Sequence, residues 1–295
     1  MNNRVVEQPT PPFPGQSQSR PGLDARMDPR PRNQAAALGG SGKLTDCTAL
    51  ITGGDSGIGA AVAVLFAREG ADVAIVCLPA EQEDADHVSE LVRQEGRRCL
   101  VLTGDVKDSS FCNAAVERTV AEFGRLDILV NNAAILFQYS SLADVPDDDL
   151  DDMFRTNVSG YFYMARAALP HLPAGGCIVN CGSVAGFEGN PSLIGYAETN
   201  GAIHTFTKSL ATELIARGIR VNCVAPGPVW TPLNASSRTP EQMAGYGDQT
   251  DGVPLGRPAQ PEEIAPAFLF FASNADSSYI TGETLALFGG RILAR

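Results

Sequence analysis

Thr48-Ala49-Leu50-Ile51-Thr52-Gly53-Gly54-Asp55-Ser56-Gly57-Ile58-Gly59 is the stretch on which the fold turns. Residues 48–52 carry no charge and read as a buried strand. A turn with four glycines follows, then an Ala/Val-rich run over 58–69 that is apolar at helical spacing. Glycine lets the backbone come close to a ligand, and a helix N-terminus offers free N–H groups and a positive dipole end. Both suit a pyrophosphate. Turns need glycine for their own geometry. Placed after a first strand, before a helix and ahead of a βα repeat, this turn points to a nucleotide.

The same unit recurs outward from that stretch. Strands are expected at 48–52, 73–77, 99–103, 128–131, 177–180, 220–224 and 284–288, and helices at 58–69, 81–95, 109–123, 147–171, 196–217 and 262–273. Strands that are apolar throughout and alternate with helices mean a parallel sheet covered on both faces, wound right-handedly. The expected class is α/β: a Rossmann-like, doubly wound seven-stranded parallel sheet in one domain, residues 45–295, with its ligand site at the carboxyl ends of the strands. Residues 1–44 differ in kind. Pro9, Pro11, Pro12, Pro14, Pro21, Pro29 and Pro31 fall among polar residues, a composition that cannot bury enough surface to fold alone. A disordered leader and an arm extended along a neighbouring subunit are both open, with Gly39–Gly42 as the hinge.

The chain has 295 residues, is 44% hydrophobic and carries a formal net charge of −12. That surface repels nucleic acid and anionic lipid. No apolar run is long enough to cross a membrane, and the N-terminus lacks a signal-peptide core. Seven cysteines, mostly inside strand-like runs, suggest reduced thiols in a cytoplasm. Cys177 and Cys181 have the wrong spacing for a Cys-x-x-Cys pair and only three histidines are present, so no metal site is expected.

Tyr196 and Asn200 stand four apart in a helix-compatible run and so share a face. Ser183 lies upstream, just past the fifth strand. With the glycine spacing Gly53, Gly57, Gly59 and the run Asn131-Asn132-Ala133-Ala134, this resembles the short-chain dehydrogenase/reductase family over residues 43–290. In detail it is similar to the general-stress and glucose-dehydrogenase-like bacterial oxidoreductases of that family. The resemblance implies a small-molecule carbonyl or alcohol substrate, with Ser183 polarising the substrate oxygen, Tyr196 exchanging its proton, and Asn157 holding a water of the proton path. It implies cofactor binding by Gly53, Asp55, Ser56, Gly57, Ile58 and Gly59, by Cys77 and Leu78 after the second strand, and by Asp105 and Val106 at the adenine. Asn132, Ala133, Tyr196, Asn200, Pro226, Gly227, Val229 and Thr231 complete the implied set. Each has a plainer reading: asparagines at strand ends satisfy loops, and Pro226 and Pro228 make a rigid turn. An acid after the second strand would repel the 2′-phosphate of NADP. Cys77-Leu78-Pro79 has none, so NADP(H) is slightly favoured over NAD(H).

The departure is Asn200, where the family has a Lys. A unit charge about 4 Å from the phenol at an effective dielectric of about 20 is worth roughly 4 kcal/mol, which is about three pKa units. Asn200 can hydrogen-bond a ribose but cannot supply that charge. Lys208 is two turns away, His204 lies a turn beyond and reads as packing or interface, and Glu198 has the wrong sign. Three readings follow: a reductase with an atypical Ser-Tyr-Asn site, a cofactor-binding homologue without turnover, and a non-redox isomerase or dehydratase using Ser183 and Tyr196. Reduction suffers least, because a donor tolerates a high pKa. Residues 187–195 and 233–255 should line the substrate pocket, with Trp230, Met243 and Tyr246 hinting at an apolar substrate. Apolar residues on more than one face of the helices at 147–171 and 196–217 point to a homotetramer or dimer.

Overall fold

The computed structural model describes residues 6–35 and 38–292. Strands β1 (Thr48–Thr52), β2 (Asp72–Cys77), β3 (Cys99–Thr103), β4 (Ile128–Asn131), β5 (Cys177–Cys181), β6 (Arg220–Pro226) and β7 (Thr284–Leu287) form one parallel sheet, in the order β3-β2-β1-β4-β5-β6-β7. Helices α1 (Gly57–Arg68), α2 (Gln82–Gln94), α3 (Ser109–Phe123), α4 (Asp147–Phe154), α5 (Gly160–Ala168), α6 (Ala185–Glu188), α7 (Tyr196–Leu214), α8 (Pro232–Ala235), α9 (Pro240–Ala244), α10 (Pro261–Ala272) and α11 (Asn274–Ser277) connect and flank them. The doubly wound, seven-stranded, single-domain architecture is as expected.

The period of two along each strand builds two cores. Ala49, Ile51, Val73, Ile75, Val130 and Val179 face α1 and α10. Leu50, Ala74, Val76, Leu129, Ile178 and Val221 face α3, α5 and α7. Register is set by pairs such as Ile51 with Ile75 and with Val130. A slip of one residue would turn every one of these side chains to the wrong layer. Alanines at 60, 61, 63 and 67 are fully buried and let α1 lie close to the sheet and to α10.

The structure departs from the sequence expectations in two places. The helix expected over 147–171 is not continuous. It is interrupted by a π-helical turn at Arg155–Ser159 and ends at Ala168. The side chain of Asn157, within that turn, is held from outside the helix by the Ile135 backbone and Thr199. The wider turn re-aims it inward, a recurrent use of π-bulges.

The second place is the arm, whose described residues 6–35 pack against their own domain. The Phe13 ring sits 4.2 Å from that of Trp230, in a buried cluster with Met27, Ala235, Met243 and Tyr246. Backbone bonds run from Phe13 N–H to the Ala244 carbonyl (2.8 Å) and from Gln18 N–H to the Ala235 carbonyl (2.9 Å). Trp230 Nε1 donates to the Pro29 carbonyl at 2.7 Å. A few large apolar residues spaced along an otherwise polar chain are enough to dock it on a ready surface, though not to fold it alone.

Candidate active site

Strand order reverses between β1 and β4, so the loops leaving their carboxyl ends part and open a crevice. Two cavities of about 360 and 320 Å³ lie there and share Ile58, Asn132, Ala134, Leu136, Thr231 and Leu233, which makes them one cleft.

The larger cavity gathers Ser183, Tyr196, Asn157 and Asn200. Ser183 follows β5, and its Oγ accepts the Ala185 N–H at 3.2 Å. Tyr196 opens α7. Burial pushes its phenol up to about 12, while hydrogen bonding from Ser183 and Asn200 acts the other way. Asn200 Nδ2 donates to the Tyr196 carbonyl at 2.8 Å, so part of its bonding capacity is turned back onto its own helix. Asn157 Oδ1 accepts the Ile135 N–H (2.8 Å), and its Nδ2 donates to the Ile135 carbonyl (2.9 Å) and to Thr199 Oγ1 (3.2 Å).

Neither His204 nor Lys208 brings a positive charge to Tyr196. His204 is buried against the Phe187 ring (4.3 Å), with Gly182 and Gly186 leaving it room. Burial lowers its pKa to about 4, so it stays neutral. Lys208 is exposed. The packing role expected of His204 is what the structure shows.

The smaller cavity is built on the glycine turn. A Cβ on Gly59 would lie 1.9 Å from the Gly53 carbonyl oxygen, and Gly53 and Gly57 have φ of +60° and +49°. Only glycine permits that approach. Asn132 spans the crevice floor, its Nδ2 donating to the carbonyls of Thr52 (3.1 Å) and Gly53 (3.0 Å), while the N–H groups of Asn132 and Ala133 converge on Thr52 Oγ1. These bonds fix the loop's shape, so Asn132 acts here as a brace. Asp55, Ser56, Gly57, Ile58, Cys77, Leu78, Asp105 and Val106 all line this cavity. Pro226, Gly227, Val229 and Thr231 line the larger one, with Thr231 Oγ1 fixed by Asn234 Nδ2 at 3.1 Å. A glycine cradle that any Cβ would close, continuous with a polar pocket, fits a dinucleotide.

Sequence reasoning missed several lining residues, and two of them bear on the cofactor. Glu81 reaches the cavity while its Oε2 accepts the Leu78 N–H at 2.7 Å. Burial raises its pKa, and raises that of Asp55 well above the usual carboxylate range. Both carboxyl oxygens of Asp55 lack a partner among the described residues. Pro79 at the first position of a helical turn with Glu81 at the third is a capping signal that foretells Glu81's place. Arg20 of the arm is the other, and no local pattern announces it.

At the substrate end both expected segments contribute, through residues such as Asn190, Ser192 and Leu193 in the first and Arg238, Gln242 and Tyr246 in the second. The apolar hint does not hold for Trp230 and Met243. They are fully buried under the arm, and only Tyr246 of the three lines the cavity. Among the described residues no cluster of metal-ligating side chains is present, and no helix is long and apolar enough to cross a membrane.

A family model described as enoyl-(acyl carrier protein) reductase matches residues 53–291. General stress protein 39 of Bacillus subtilis is 46% identical over 282 residues, covering 95% of this chain and 97% of its own. The uncharacterised oxidoreductase YhdF of the same organism is 45% identical over 281 residues, covering 95% and 96%. Matches of that extent take in most of the N-terminal arm. A solved short-chain dehydrogenase from Burkholderia cenocepacia, in complex with NADP, superposes with a TM-score of 0.77 at 33% identity, covering 84% of this chain and 98% of its own. Fold, cleft and relatives agree that the chain belongs to the short-chain dehydrogenase/reductase family and is an oxidoreductase that uses a nicotinamide cofactor.

Proposed function

We propose that the protein is a carbonyl reductase with a Ser183–Tyr196–Asn200 active site, with residues 45–295 forming the catalytic domain and residues 1–44 an appended arm. The observation that carries this is the half-buried Tyr196 phenol, which lines the cavity with Ser183 and is pushed up to about 12 by desolvation. A phenol with so high a pKa is protonated across the physiological range, the state a proton donor needs. The bound nicotinamide supplies the hydride. Ser183 Oγ orients the substrate oxygen, and Tyr196 gives that oxygen its proton. Asn157, locked to the Ile135 backbone, positions water behind the phenol, and Asn200 offers an amide to the cofactor ribose. Alcohol oxidation needs the phenolate, and the hydrogen bonding from Ser183 and Asn200 that favours it is outweighed by burial. Arg238, Gln242 and Asp251 on the pocket wall suit a small polar substrate.

NADP(H) is the favoured cofactor in this reading. Cys77, Leu78 and Pro79 carry no acid, and the Burkholderia cenocepacia neighbour holds NADP. Glu81 favours the opposite preference, since it lines the same cavity. Dissociation constants for NADPH and NADH, measured on the wild type and Glu81→Gln, decide between them. Tighter NADPH binding that Glu81→Gln leaves unchanged is expected. Tighter NADH binding, with NADPH gaining affinity in Glu81→Gln, would assign Glu81 the repelling role and NAD(H) as cofactor.

A further inference from the structure

The cavity that fits the dinucleotide is short of positive charge. Its lining carries four carboxyl groups, Asp55, Glu81, Asp105 and Asp152, against Lys107 and Arg20. Lys107 is engaged, with its Nζ 2.6 Å from Asp152 and 3.5 Å from Asp105. Arg20 is different. Its guanidinium lies over the Phe137 ring, 3.6 Å from the centroid, and it makes no ion pair among the described residues. Phe137 is itself buried and lines the same cavity.

The arm is anchored so that Arg20 stays at this place. Two residues on, Gly22 packs so tightly on Pro232 that a Cβ would lie 2.7 Å from the Pro232 carbonyl oxygen. Pro232 follows Thr231, whose side chain touches Gly57 of the glycine turn. Two residues further, the buried carboxyl of Asp24 accepts the Gly57 N–H at 3.2 Å, and its own N–H donates to Asp84 of α2 at 2.6 Å. The arm therefore runs along the cleft from the glycine turn, which it meets at Asp24, to Phe137, which it meets at Arg20.

We infer that the arm is a structural part of the cofactor site and that Arg20 is the cation that binds the dinucleotide's pyrophosphate. The inference rests on the cleft being the dinucleotide site. A planar guanidinium held on an aromatic face is suited to bridging two phosphates. A pyrophosphate entering this acidic cavity would otherwise meet no uncommitted cation among the described residues, in a protein whose formal net charge is −12. The arm's bond to the glycine turn, from Gly57 N–H to Asp24, lies four residues from Arg20, while the 2′-phosphate position is expected at the end of β2 beside Cys77 and Leu78. The interaction should therefore serve NADPH and NADH alike.

The test is calorimetric or fluorescence titration of the full chain with NADPH and with NADH, for the wild type, Arg20→Gln and Arg20→Lys. Arg20 is exposed, so the fold should tolerate both changes, and an unchanged melting temperature checks this. Arg20→Gln is expected to weaken both dinucleotides by roughly tenfold or more, with a shallower salt dependence, and Arg20→Lys to recover part of the loss. Equal affinities in wild type and Arg20→Gln would overturn the inference, and so would a loss confined to NADPH, which would place Arg20 on the 2′-phosphate. Failure of the wild type itself to bind either dinucleotide would overturn the cofactor site and the inference with it.

Discussion

Position 200 holds Asn where the resemblance implies a Lys. Ser183, Tyr196 and Asn157 were readable from spacing and resemblance, and all line one cavity. What the sequence could not show is that burial raises the phenol further, to about 12, and that His204 is packed and neutral rather than a substitute cation. Asn200→Lys places a positive charge on the same helix face, at a site that opens into the cavity. It should lower the phenol's pKa and raise alcohol oxidation by roughly one to several orders of magnitude, with a smaller effect on reduction. Steady-state rates in both directions check this. Equal gains in the two directions would mean that the charge acts through cofactor binding alone. The adenosine end was less legible. Cys77 was read correctly as no acid, but Glu81 lines the same cavity through a capped turn that a strand-end count passes over.

At the scale of elements, strand and helix positions followed closely from periodicity, because each layer of the sheet buries a distinct alternate set of residues. Two features escaped. The π turn at Arg155–Ser159 looks like plain helix in sequence, since its cause is a bond to a loop far away in the chain. The tie between the arm and α1 is likewise non-local: Asp24 receives the Gly57 N–H while lying next to Asp84. Burial, and then Asp84, raises the Asp24 pKa to about 7. An unfolded Asp ionises near 4, so between about pH 4 and 7 the folded state holds a proton that the unfolded state has lost. This contribution to stability is full below pH 4 and is lost as pH rises through 7, on the order of a few kcal/mol. Asp24→Asn keeps an acceptor for Gly57 and turns a donor toward Asp84. Its melting temperature should therefore fall less steeply with rising pH than the wild type's, and should match or exceed it at pH 8. Identical pH profiles would show that Asp24 does not titrate in this window.

At the scale of the whole molecule, the arm and the outer helix faces matter most. Polar, Pro-rich composition set the arm apart from the rest of the chain. Where it docks depended on Phe13 finding Trp230, a pairing across more than two hundred residues that no local pattern encodes. Phe162 on α5 is 49% exposed and stacks on Phe206 of α7 at 4.1 Å, while Ile215 just past α7 is 61% exposed. We expect these faces to pair between copies, giving a dimer or tetramer by light scattering at micromolar concentration, and Phe162→Glu to shift it toward monomer. A monomeric wild type would refute that assembly. The central claim, that this cleft reduces a carbonyl with Tyr196 as proton donor, is tested most directly by one measurement: NADPH oxidation against a panel of polar carbonyl compounds from pH 6 to 10, for the wild type and Tyr196→Phe. Turnover in the wild type that persists toward pH 10, and its loss in Tyr196→Phe with NADPH still bound, is the result expected. Turnover that survives Tyr196→Phe, or a wild type that binds NADPH and reduces nothing in the panel, would contradict it.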